Sequence, residues 1–342
     1  MSQRGGDAAI ARLGVHRIAV PIPFPQAGGP VNVVVVEEEG GGIALFDSGL
    51  GTDDAERALR AGLASLGFRF EDVRRIFITH GHIDHYGLAR KVRDASGAEV
   101  FVHPRDRAKV ALPIHWFEAK DRHAAYLDRC GVDRSDVEEM LATAALQEQL
   151  AGRLEAPIGD LAEGQRLVFA RCEATILEAP GHTPGLVCAV LRRRDGGARP
   201  EEAPVLVAND HLLEKVSPNP IFEVMPDGER FRALPTYFES LARVRELELS
   251  WVIPGHDACF NGHRRIIDGL VAFYDRRQAK IFGFIPPSGA TPMDLVRSIF
   301  PKATPFDTFL MMGEILGNLD RLEEQGRAGM IERGGKMRWY RR

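Results

Sequence analysis

The chain has 342 residues, room for two domains at about one per 150 residues, or for one large domain with an appendage. With 44% hydrophobic and 27% charged residues, disorder and coiled coil are excluded, because a disordered chain is poorer in apolar residues and more lopsided in charge. The 44 basic residues against 48 acidic ones give −4, which argues against a molecule-wide attraction to nucleic acid or to an anionic membrane and leaves room only for a local basic patch.

No apolar stretch of signal-peptide length occurs in Met1 to Phe24, and no later segment approaches about 20 uninterrupted apolar residues, so a soluble, cytoplasmic protein is expected. Val31 to Glu37 and Ile43 to Phe46 flank Gly40-Gly41-Gly42 and read as a hairpin that ends at Asp47-Ser48-Gly49. Ala55 to Leu66 reads as a helix, and Val73 to Thr79 as a strand broken by a histidine-rich loop; strand, helix, strand implies layered α/β structure. From Pro104 to about Gly164 the pattern turns helical, an insertion in which Ser135 to Glu138 fits a capping box with Ser135 as N-cap. Strand signals resume at Leu167 to Phe169, Ala174 to Leu177, Val205 to Ala208 and Trp251 to Ile253. A helix over Arg264 to Phe282 is closed by Pro286-Pro287-Ser288-Gly289. Helices over Pro292 to Phe300 and Asp307 to Glu324, then a hairpin from Gly326 to Tyr340, give the helix, helix, wing pattern of a winged helix.

The chemistry is concentrated in His80-Gly81-His82-Ile83-Asp84-His85, directly after a strand. Three imidazoles and a carboxylate in six residues form a metal-ligand set, since neutral imidazole suits Zn, Fe and Mn, and Asp adds oxygen ligation. Three later loops each follow an apolar strand and end in a ligand type: Pro180-Gly181-His182, Asn209-Asp210-His211 and Pro254-Gly255-His256. In the two Pro-Gly-His loops the glycine lets the backbone turn sharply and bring the imidazole close to an ion. The cysteines Cys130, Cys172, Cys188 and Cys259 form no CxxC pair, so they are expected to be reduced and apart from the chemistry.

On these motifs the sequence resembles the metallo-β-lactamase superfamily over roughly Val15 to Phe284, with Asp47, the His80/His82/Asp84/His85 cluster, His182, Asp210 and His256 in order. The resemblance implies an α/β fold, a four-layer αββα sandwich over residues 1–285, carrying the helical insertion at about 104–165 and followed by a winged-helix domain at 286–342. It implies that His80, His82 and His182 hold one metal, that Asp84, His85 and His256 hold a second, and that Asp210 bridges them. The cofactors expected are two divalent ions, zinc first, with Fe or Mn as alternatives. Asp47 would stand behind the histidines and fix a ligand tautomer, Asp84 would orient the attacking hydroxide, and His211 would donate a proton to substrate or leaving group. Thr79, Tyr86 and Gly87 read as packing or turn residues, and His16, His103, His115, His123 and His263 as surface or core histidines.

Departures narrow the activity. The best-known secreted β-lactamases have Cys where Asp210 stands, the flavodiiron oxygen reductases have Glu where His82 stands, and the long gap between His85 and His182 differs from glyoxalase II. The first reading is a dinuclear hydrolase of a small acyl substrate, a thioester or lactone, attacked by a metal-bridging hydroxide. Pro113, Ile114, His115, Trp116 and Phe117 are its candidate apolar lid. The alternative is an RNA-cleaving phosphodiesterase that binds its substrate through a wing bearing Arg327, Arg333, Lys336, Arg338, Arg341 and Arg342. Persulfide oxygenation by a single iron and a non-catalytic assembly module are further readings. The partners expected are therefore a small acyl compound, RNA as second choice, a second copy of the chain in a homodimer, and no membrane.

Overall fold

A computed structural model describes residues 3–23, 29–111, 114–155, 157–195 and 203–342. Pro113 lies outside them, as do the side chains of Ile114, His115, Trp116 and Phe117, so the expected lid falls outside the described residues.

The first sheet collects β1 (Val15–Val20), β2 (Val31–Glu37), β3 (Ile43–Phe46), β4 (Val73–Ile78), β5 (Glu99–Val102) and β6 (Gly159–Asp160) in that order. β1 to β3 run antiparallel, and β3 to β6 run parallel. The expected hairpin is β2/β3, with Val34 opposite Phe46, and Gly40, Gly41 and Gly42 all take positive φ in its turn. The second sheet has the order β11 (Trp251–Pro254), β10 (Val205–Asn209), β9 (Val187–Arg193), β8 (Cys172–Glu178), β7 (Arg166–Val168), with only β10 and β11 parallel.

Side chains alternate across each strand, and here both faces are buried, so the strands read as apolar runs. Val34, Val36, Phe46 and Phe77 meet Ile176, Ala189, Val205 and Val207 in the core between the sheets. Val33, Val35, Leu45 and Ile76 face outward under α2 (Asp53–Ser65) and α4 (Ala89–Ser96). On the far side Val190, Leu206 and Val252 pack beneath α8 (Ala233–Arg245) and α9 (His263–Phe284). The result is the expected αββα sandwich.

The inserted helices α5 (Pro104–Ala111), α6 (Ile114–Arg129) and α7 (Arg134–Glu148) are present. α7 begins at Arg134, with the Asp133 carbonyl accepting from Val137 N–H. Ser135 therefore lies inside the first turn, and the capping-box reading is corrected: Asp133 precedes the helix and already closes its first turn. The C-terminal segment forms α10 (Pro292–Ile299), α11 (Pro305–Glu324) and the antiparallel pair β12 (Ala328–Arg333) and β13 (Lys336–Arg341). Leu127, Val137 and Met140 of the insertion share one core with Met293, Leu295, Met312, Leu316 and Trp339, and with Ile281 and Ile285 at the end of α9. Insertion and C-terminal segment thus pack as a single helical lobe, far apart in sequence yet joined where Met293 N–H bonds the Cys130 carbonyl. That lobe also takes in Phe222 and Val224 from the connection between β10 and α8.

Candidate metal centre

Among the described residues, the three non-glycine ones with φ in the left-handed region, Asp47 (64°), Asn209 (45°) and Asp257 (71°), all stand at or just past strand ends on one edge of the sandwich. Backbone held in that costly region clusters at functional sites. Into this edge project the expected residues, and the structure brings seven of them together. His80, His82, His182 and Asp210 form one group with ligand atoms within 4.8 Å of one another, and Asp84, His85 and His256 form a second. Asp210 Oδ2 joins them, 3.9 Å from His80 Nε2, 3.4 Å from His182 Nε2 and 3.5 Å from both His85 Nε2 and His256 Nε2.

Four of the five imidazoles are aimed by their other nitrogen. His85 Nδ1 donates to Asp47 Oδ2 at 2.7 Å, His182 Nδ1 to the Asn219 carbonyl at 3.1 Å and His256 Nδ1 to the Gly29 carbonyl at 3.1 Å. Thr79 Oγ1 donates to Asp47 and receives His80 Nδ1 at 3.2 Å, while Thr79 N–H bonds the other Asp47 oxygen. Thr79 therefore orients a ligand, beyond the turn role read from sequence, and Asp47 stands behind the histidines as expected. With those protons committed, the opposite nitrogens present lone pairs inward.

That inward face fits a cation. His82 Nδ1 lies 3.1 Å from His80 Nε2 and 3.0 Å from His182 Nε2, a convergence of acceptors that repel unless a positive charge sits among them. His85 Nε2 and Asp210 Oδ1 are buried with no hydrogen-bond partner among the described residues. Burial, then the neighbouring imidazoles, hold His80 and His82 well below the ordinary histidine range. Burial also works against charge on His85, but the carboxylates of Asp210, Asp84 and Asp47 outweigh it and raise its pKa well above the ordinary value. A metal ion in that place would replace the proton those carboxylates attract.

Two glycines make the approach possible. A Cβ at Gly255 would stand 1.9 Å from Asp210 Oδ1, and at Gly181 (φ 145°) it would meet Tyr237 Cβ at 2.5 Å.

Sequence reading missed Asp106. Fully buried, it accepts from Gly81 N–H at 2.8 Å, from Thr183 Oγ1 at 2.6 Å and from Gly185 N–H at 3.0 Å, tying the His80–His82 loop to the His182 loop. Its partners are mostly backbone amides far along the chain, so no local motif marks it. His211 does not join the cluster: its ring is fully buried edge-on against Tyr237, and burial lowers its pKa to about 3. The expected proton donor is thus a neutral core ring, because the backbone turns past β10 at Asn209 (φ 45°) and sends His211 into the core while Asp210 faces the cluster.

A family model described as the metallo-beta-lactamase superfamily matches residues 27–196. The probable metallo-hydrolase YqjP of Bacillus subtilis (strain 168) is 27% identical over 316 residues, covering 90% of this chain and 92% of the relative. The metallo-beta-lactamase family protein TTHA1429 of Thermus thermophilus aligns over 96% of this chain and 99% of its own, at TM-score 0.76 and 28% identity. The chain belongs to the metallo-beta-lactamase superfamily. It is a metal-dependent hydrolase, and its His/Asp cluster can hold divalent metal. A beta-lactamase domain protein from Burkholderia ambifaria shares the fold at TM-score 0.73 and 22% identity, over 96% of this chain and 93% of its own. Among the described residues no helix is long and apolar enough to cross a membrane. The four cysteines are free and buried.

Proposed function

We propose that the chain hydrolyses a small acyl compound, a thioester or lactone, with two zinc ions, one at His80, His82 and His182 and one at Asp84, His85 and His256. The observation that carries the reading is the position of Asp210 Oδ2, within 3.9 Å of imidazoles from both groups, where one carboxylate oxygen can serve both ions. Ions bound there would supply a hydroxide near neutral pH and positive charge for the oxyanion that develops on the attacked carbonyl. The chain's part is to fix the tautomers of four of the imidazoles, His80, His85, His182 and His256, through Thr79, Asp47 and the Asn219 and Gly29 carbonyls. Asp84, partly exposed beside His85 and His256, would orient that hydroxide as well as hold an ion.

What speaks against RNA as substrate is the wing. Lys336 Nζ bonds Asp128, Arg338 the Gly289 carbonyl and Arg341 the Gly283 carbonyl, while the Arg327 and Arg341 guanidinium groups lie over Phe282. These cations are partly engaged within the chain, which leaves less of the wing's hydrogen-bonding capacity free for phosphate.

The test is a screen of zinc-loaded protein against acyl-CoA thioesters, lactones, β-lactams and short RNAs. Metal-dependent turnover of a thioester or lactone is expected. Metal-dependent RNA cleavage, joined to a salt-sensitive RNA affinity that disappears when Arg333, Lys336 and Arg338 are neutralised, would overturn the acyl reading.

A further inference from the structure

The three imidazoles of the first group share a support that the second group lacks. Lys109, on α5, lays its stem against Gly81, where an added Cβ would meet Lys109 Cδ at 2.8 Å. Its ammonium stands 3.6 Å from Asp106 Oδ1 and pairs with Glu223. Asp106 in turn holds Gly81, Thr183 and Gly185, the residues beside His80, His82 and His182. Glu223 lies four residues after Asn219, whose carbonyl aims His182. The connection on either side of Glu223 is pinned to the helical lobe: Val224 N–H bonds His123 Nε2 at 3.3 Å, Phe222 and Val224 belong to the lobe's core, and Arg230 binds Asp320 through two bonds of 2.5 and 2.7 Å. Tyr274 holds the Pro218 carbonyl.

We infer that Lys109 and Glu223 are positioning residues through which the helical lobe sets the metal affinity of the His80/His82/His182 site, leaving the Asp84/His85/His256 site untouched. The pair is almost fully buried, with 12% of the Lys109 side chain and 7% of that of Glu223 exposed, so solvent does not screen it. It closes a continuous path from Phe222 in the lobe to Gly81 between two ligands. The second group is braced from elsewhere: His85 by Asp47, and His256 by the Gly29 carbonyl and by Asn32, which bonds the Gly255, Pro254 and Asp257 backbone.

The inference rests on the two-ion reading and is tested with zinc itself. His256→Ala leaves the first triad as the stronger site, and His182→Ala leaves the second. In each background Lys109→Met, Lys109→Arg and Glu223→Gln are compared by zinc competition against a chromophoric chelator and by the visible spectrum of the Co(II) form. In the His256→Ala background Lys109→Met and Glu223→Gln are expected to weaken zinc by about 10–100-fold, the range for losing a group that orients a ligand, and to change the Co(II) spectrum. Lys109→Arg should restore most of the affinity, and all three should leave the His182→Ala background unchanged. Equal loss in both backgrounds, or none in the first, overturns the inference. If Lys109→Met strands its acidic partners and fails to fold, the isosteric Glu223→Gln decides alone. Zinc stoichiometry of the unmodified protein is a separate readout: one ion per chain sinks the dinuclear reading, whatever the variants do.

Discussion

The two halves of the metal centre are held by different parts of the molecule. His85 and His256 are braced by the sandwich: Asp47 follows the end of β3, Asn32 lies in β2, and both strands are buried on two sides. His80 shares that support through Thr79, but the His80–His82 loop and His182 lean as well on Asp106, Lys109, Glu223 and Asn219, which belong to the insertion and to the long connection after β10. One half inherits its geometry from hydrogen-bonded strands with little freedom. The other depends on side chains and a segment whose position the helical lobe decides. A sandwich with a different insertion could keep the second half intact while altering the first, so the lobe is where family members built on these strands would diverge in the metal they favour and the substrate they admit.

The sharpest way to break this comparison is at the atom both halves share. Asp210→Ala is expected to lower hydrolysis by about 10³-fold or more, above the 10²–10³ of losing one oxyanion donor, and to lower zinc stoichiometry with it. Far-UV circular dichroism should be unchanged, because Asp210 follows the end of β10 and is not core packing. Wild-type turnover in this variant would remove the bridge from the mechanism.

Next in size is the pair that anchors the lobe to the β10–α8 connection. Arg230 and Asp320 are 6% and 5% exposed, and burial leaves neither with a solvent partner. Arg230→Met should cost about 3–5 kcal/mol in urea unfolding, the usual penalty for stranding one member of a buried ion pair. A loss below about 1 kcal/mol would mean that the lobe is held by its apolar core alone.

On the sandwich side, Asp47→Asn keeps the shape but presents an amide where His85 needs an acceptor. Zinc affinity should fall by about 10–100-fold at the second site, where His85 bonds Asp47 directly, and by less at the first, which Asp47 reaches only through Thr79 and His80. An equal loss at both sites would show that the strand ends brace the whole centre, and the contrast between halves would disappear.

The smallest effects are expected far from the centre. Neutralising Arg333, Lys336 and Arg338 together should change stability by about 1 kcal/mol or less and leave turnover of the proposed acyl substrate intact. Burial pushes the Cys130 and Cys172 thiols up to about 12 and Cys259 to about 11, so at pH 8 all three remain protonated. Iodoacetamide should therefore label none of them until the protein unfolds, and rapid labelling of the native protein would show that one is exposed.

The ligand set was legible because each ligand closes an apolar strand, a local pattern: β4 runs into His80, β10 into Asp210 and β11 into His256. The same locality exposed the β2/β3 hairpin, through its three glycines, and the helices α2, α9, α10 and α11, through their periodicity. Strands β5 and β9 were passed over, since Glu99–Val102 is short and Val187–Arg193 is apolar at successive positions and shows no alternation. His211 was misjudged for a related reason. Adjacency to Asp210 is visible in the sequence, but the side to which a neighbouring side chain turns depends on the backbone, and Asn209 at φ 45° bends it there.

By itself the sequence determined which residue types face the ion, the order in which strands deliver them, and the glycines that let the His182 and His256 loops turn sharply. These follow from period, turn chemistry and ligand chemistry, all of which act over a few residues. Only the tertiary structure decided that Asp106 bridges Gly81 to Gly185, that Lys109 meets Glu223, and that residues 114–148 share a core with residues 290–339. Those contacts join segments tens to hundreds of residues apart. Their partners are backbone amides, ordinary charges and leucine-like side chains, which carry no signature until packing brings them together.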